Sequence, residues 1–146
     1  IRGSKADKER VALITANTPK GRIRTGETLF KMFCIGCHGP EGKGLPSIAP
    51  TLHSDWVSGD REILVKVLLK GLGGQIKVNG ELENYEAAMP GFGPALGDDE
   101  IASILSYVRS AWTDAPADVT SAFVRKIRSA EKGKTGPYEA NALWKN

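Results

Sequence analysis

The chain has 146 residues, 40% hydrophobic and 25% charged, which fits one globular domain with extensions and excludes a disordered or collagen-like chain. Its longest apolar stretch, residues 63–69, is broken by Lys66, far short of the roughly 20 apolar residues of a membrane span, and its two cysteines exclude a multi-disulfide scaffold. The net charge of +3 is uneven: residues 1–33 hold eight Lys/Arg against three Asp/Glu, whereas residues 34–113 hold six against ten, which is not the basic stripe of a nucleic-acid binder.

Residues 1–24 are basic, contain Pro19 and Gly21, and carry a short helical pattern over residues 5–15; they read as an extension or linker. The start at Ile1 rather than Met is expected of a processed chain or of a piece of a larger one. Residues 26–37 are a predicted helix with Leu29, Phe30 and Phe33 on one side. A second helix is predicted over 60–70, with Ile63, Leu64, Val67 and Leu68 on one face and Gly71 as its stop. Ile76 and Val78 alternate ahead of Asn79-Gly80, which predicts a small hairpin near residues 75–83.

The third central helix, 98–112, opens on Asp98, Asp99 and Glu100, where the helix dipole favours negative charge. Ile101, Ile104, Leu105, Val108 and Trp112 then trace its core-facing stripe. Beyond the break at Asp114 to Pro116, residues 114–146 form a C-terminal extension with one helix, about 119–130, and a Lys/Gly/Pro-rich tail. The whole is an all-α domain with long loops. Three short helices make a thin core, and long Gly/Pro-rich connections need something to wrap.

Cys34-Ile35-Gly36-Cys37-His38 supplies that something. A C-x-x-C-H run reads as covalent haem attachment: two thiols about one helical turn apart add to the two vinyl groups, and the adjacent imidazole reaches the iron. Two other uses of the same cysteines stand beside it. A dithiol redox pair belongs near a βαβ pattern, which the chain lacks, and a zinc site would have to recruit His38 and the distant His53 without finger spacing. Given haem, Met89 in Ala88-Met89-Pro90-Gly91 is the preferred second axial ligand, with His53 or an open site as alternatives. Met32 lies too near Cys34 to cross to the opposite face.

On these motifs and their order, residues 25–113 resemble a class I-type monohaem cytochrome c domain. The resemblance implies the cytochrome c fold: all-α, three to five helices around one covalently bound haem c. It implies that Gly26 and Phe30 cross Ile104 and Tyr107. It also implies that Pro50, in Ala49-Pro50-Thr51-Leu52, accepts the hydrogen bond of His38, with Ala49 departing from the family's Gly. Trp56, Tyr85, Asn84 and Arg61 become candidates for holding propionates or the Met sulfur. The implied function is one-electron transfer in the periplasm by a protein that is not itself an enzyme. Its partners are transient redox proteins, or a catalytic domain or subunit of a larger oxidoreductase; a gas-binding sensor is the more distant alternative.

Overall fold

The computed structural model describes residues 18–146, so the helical pattern expected over residues 5–15 lies outside it. Helix α1, Pro19–Phe33, starts at a cap in which Thr18 Oγ1 accepts the Gly21 N–H at 3.0 Å, and Pro19 occupies the first turn, where a missing N–H costs nothing. It thus begins within the stretch read as linker. It also stops at Phe33 rather than running through Cys37; a break at Cys34 separates it from the single turn α2, Ile35–His38.

Ser54 caps the short α3, Asp55–Ser58, and Asp60 caps α4, Arg61–Lys70. The expected hairpin is present as β2, Ile76–Val78, paired antiparallel with β3, Glu81–Glu83. Its turn residues Asn79 and Gly80 both take positive φ, 51° and 89°, as a type I′ turn requires. Before it lies β1, Leu72–Gly73, and after it the long α5, Asp98–Trp112. The chain closes with α6, Ser121–Ala130, capped by Thr120, then β4, Tyr138–Glu139, and one turn of α7, Ala140–Leu143. β4 pairs in parallel with β1, a contact between segments more than sixty residues apart.

The α1–α5 crossing anchors the core. Gly26 sits so close to α5 that a Cβ there would lie 1.8 Å from the Ser103 carbonyl oxygen and 2.7 Å from Tyr107 Cβ. Phe30 packs beside it, 5.7 Å from the Tyr107 ring and 5.2 Å from the Trp112 ring. The crossing is therefore the expected one, with Ser103 rather than Ile104 directly opposite the glycine. Phe30 and Ile104 belong to one buried cluster with Val65, Leu68, Ile101 and Leu105.

The C-terminal extension joins that cluster through Val119, Val124 and Ile127. Ser106 Oγ donates to the Val119 carbonyl at 3.0 Å. Arg109, only 5% exposed, spreads its guanidinium over three carbonyls: Pro116 at 2.9 Å, Val57 at 3.0 Å and Gly59 at 2.8 Å. It ties α5 to the end of α3 and to the extension. Burial lowers its pKa, with Asp118 opposing that effect. Arg109→Met keeps the apolar stem but strands those acceptors, so it should cost about 2–4 kcal/mol. Urea unfolding of the haem-loaded protein measures this, and a change below about 0.5 kcal/mol, the size of an ordinary surface substitution, would contradict it.

Candidate haem site

A cleft of about 410 Å³ lies between α2, the 48–50 segment, β1 and residues 84–92, with Ala140 of α7 at its edge. Cys34, Cys37, His38, Pro50, Tyr85 and Met89 line it. An apolar slot of about 90 Å³ shares Cys34, His38, Pro50 and Met89 with the cleft and reaches the core beside Trp56, Leu68 and Leu105. Between them these two spaces are lined by Cys34, Cys37, His38, Pro50, Trp56, Asn84, Tyr85 and Met89, but not by Arg61.

Local backbone geometry places each donor. α2 starts at the Cys34 break, and the His38 N–H closes onto the Cys34 carbonyl at 3.0 Å, so both cysteines and the histidine share one helical turn. The loop after it folds back at Gly44, where φ is +78° and a Cβ would lie 2.5 Å from the Ala49 carbonyl oxygen. Only glycine fits there. The fold-back brings Pro50 against the imidazole: His38 Nδ1 donates to the Pro50 carbonyl at 3.0 Å. A carbonyl only accepts, so the proton sits on Nδ1 and the Nε2 lone pair is free for a metal. His38 is 7% exposed, and burial lowers its pKa against the opposing Pro50 bond, which favours the neutral, ligating form.

Met89 is half-buried in the facing wall. Its N–H donates to the Leu72 carbonyl at 2.8 Å and its carbonyl accepts the Leu72 N–H at 3.1 Å, so its backbone is fixed as though in a strand. Burial, with Cys37 adding, pushes the Cys34 thiol up to about 11. That runs opposite to the lowered pKa of a redox-active dithiol. A zinc site fares no better: among the described residues no three or more His, Cys, Asp or Glu gather to hold a metal ion. His53 is exposed, donates through Nε2 to the Glu41 carbonyl at 2.9 Å and lies against Trp112. Met32 is 67% exposed on α1.

The remaining candidates divide. Trp56 walls the slot, but its Nε1–H is spent on the Lys77 carbonyl at 2.8 Å, so it offers the cavity an apolar face. Tyr85 donates its hydroxyl to the Glu83 carboxylate; desolvation and that bond push its pKa well above the tyrosine range. Asn84 lines the cleft. Arg61 does not: it donates to the Asp118 carbonyl at 2.9 Å and lies 4.0 Å over the Phe123 ring, a link to the extension. Sequence reasoning missed the cleft's C-terminal edge. Ala140 lines it, and Trp144 packs edge-on against Trp56 at 4.9 Å.

Two thiols and an imidazole on one turn, a thioether in the facing wall and an apolar slot between them fit a large, flat, covalently held group. The fold and this donor set define an all-α haem domain. A family model for cytochrome c matches residues 23–112, more than half of the chain, and the chain belongs to that family.

Similar proteins agree. Cytochrome c-552 of Thermus thermophilus is 38% identical over 106 residues, covering 66% of this chain and 79% of that protein. The fructose dehydrogenase cytochrome subunit of Gluconobacter japonicus is 30% identical over 125 residues, 80% of this chain but 24% of the subunit. The cytochrome c subunit of the quinone alcohol dehydrogenase of Gluconobacter oxydans is 28% identical over 127 residues, 85% of this chain and 25% of the subunit. The domain carries haem c, for which Cys34 and Cys37 are the chain's two cysteines, and it transfers electrons rather than catalysing a substrate reaction. Among the described residues no helix is long and apolar enough to cross a membrane.

Proposed function

We propose that this chain passes single electrons in the periplasm through one haem c, which Cys34 and Cys37 would hold covalently and whose iron His38 and Met89 would ligate. The observation that carries the reading is the pair of backbone locks across one cleft. Pro50 holds the imidazole through Nδ1, and Leu72 holds Met89 by two hydrogen bonds.

The bound haem supplies an iron that gains and loses one electron. The chain's own part is to keep its donors still. His38 cannot rotate without breaking the Pro50 bond, and the Met89 backbone cannot move away without unpairing from Leu72. A thioether ligand and an apolar surround both favour the less charged, reduced state, which raises the potential over bis-His ligation. Phe33 and Ile48 line the cleft and are 40% and 44% exposed, while Cys37 is exposed, so the cleft mouth is where a redox partner would dock. Such encounters bury little surface, typically under about 1,200 Å².

A second reading gives the same site a permanent neighbour: a cytochrome subunit or domain of a larger periplasmic dehydrogenase. It is supported by the two dehydrogenase subunits, in which the similar region is about a quarter of the length.

Met89→Ala tests the ligand set. The ferric protein should lose the weak near-red band that a sulfur ligand confers, and the ferrous protein should bind CO readily where the parent resists it. A band that survives in the variant would overturn Met89 as ligand.

A further inference from the structure

The segment that carries Met89 is held from outside by the C-terminal extension. Residues 89–97 pack first on the end of α4: the Phe92 N–H donates to the Leu68 carbonyl at 2.7 Å and the Gly93 N–H to the Leu69 carbonyl at 3.2 Å. Arg128 of α6 then clasps the other side of the same segment. Its Nη1 donates to the Gly93 carbonyl, its Nη2 to the Leu96 carbonyl and its Nε to Asp98 Oδ1, each at 2.8 Å. One planar, permanently charged fork thereby joins three points just beyond the Met-Pro pair.

The extension also reaches Met89 through its strand partner. Leu72 hydrogen-bonds Met89 on one side and pairs with Tyr138 of β4 on the other, and the Tyr138 N–H donates to the Gly71 carbonyl at 3.0 Å. Tyr138 is itself fixed, because its hydroxyl donates to Glu131, a carboxylate 3% exposed that pairs with Lys66 of α4 at 3.4 Å and Lys134 at 3.3 Å. The Met89 backbone is thus the inner edge of a three-layer arrangement whose outer layer is the extension.

We propose that Arg128 is a positioning residue for the distal ligand, and that residues 114–146 serve to keep the Met89 sulfur in place. The inference rests on the reading of Met89 as that ligand. It assigns the extension, read from its sequence as one helix and a Lys/Gly/Pro-rich tail, a role in the chemistry of the site.

The test uses the haem-loaded 146-residue chain with Met89→Ala as reference. Arg128→Gln should weaken the ferric near-red band. It should speed CO binding by the ferrous protein, and amide exchange at Met89, roughly ten- to a hundredfold, the effect expected for losing one or two charge-assisted hydrogen bonds. Arg128→Lys, which keeps the charge but not the fork, should fall between. Arg125→Ala should behave as the parent, because Arg125 is exposed and, among the described residues, reaches only Asp98, at 3.7 Å.

If Met89→Ala keeps the band, the ligand reading fails irrespective of Arg128. If it loses the band while Arg128→Gln keeps the parental band, CO resistance and Met89 exchange, the positioning role is overturned. It is likewise overturned if every amide speeds up equally, since that marks global destabilisation. Should Arg128→Gln take up no haem, Arg128→Lys decides: parental CO resistance there overturns the proposal, and faster CO binding with a parental unfolding midpoint supports it.

Discussion

Gly26→Val should destabilise the haem-loaded protein by about 3 kcal/mol or more, at the upper end of overpacking costs. The reason is geometric. A Cβ at residue 26 would lie 1.8 Å from a backbone oxygen of α5, not from a side chain that could rotate away. α1 and α5 would have to separate, and Phe30 would lose its tilted contact with Tyr107 and its edge contact with Trp112. The loss would reach the haem slot, because Phe30, Ile104 and Leu105 line it. Urea titration followed by helical circular dichroism should show an earlier midpoint with the slope largely retained. A midpoint within error of the parent would mean that the two helices do not cross where described.

The double variant Cys34→Ala/Cys37→Ala should do more: no haem should survive acid-acetone, and the chain should lose its cooperative unfolding transition. The core is small, and one side of it is the slot lined by Val57, Leu64, Leu68, Leu105 and Val108. Without the haem, those side chains would line an apolar slot with no apolar partner to fill it. Small domains leave little margin against such a loss, since total stabilities run only about 5–15 kcal/mol. Far-UV and near-UV circular dichroism of the purified variant measure this. A sharp thermal transition with parental helicity would contradict the view that the haem completes the core.

The features legible in the sequence are those with local causes. Helix α5 occupies the residues its apolar stripe marked, 98–112, because acidic residues open it and periodicity runs unbroken to Trp112. α4 and α6 differ from expectation by one or two residues at their starts, where Asp60 and Thr120 proved to be caps rather than first turns. α1 starts earlier than its apolar pattern, because the Thr18-Pro19 cap is a stronger local signal than Gly21 and the surrounding basic charges. Its early end at Phe33 has no periodic signature; the chain breaks at Cys34 so that the next turn can present Cys37 and His38.

The attachment motif and Met89 could be read because their chemistry demands particular residue types at particular spacing. What encloses them could not. The β1–β4 pairing, the Arg128 clasp and the packing of Trp144 on Trp56 join segments far apart in the chain. Two-residue strands leave no alternation to detect. Arg61 shows the same limit from the other side: near the site in sequence, it is committed to Asp118 and Phe123 in space.

The central claim is that Cys34 and Cys37 hold a single haem covalently. The most direct test is the pyridine haemochrome spectrum of the reduced, denatured protein after acid-acetone extraction. The account predicts a c-type spectrum, with one haem per chain remaining in the protein fraction. Haem that extracts into the acetone, or a protein with no haem spectrum at all, would contradict it.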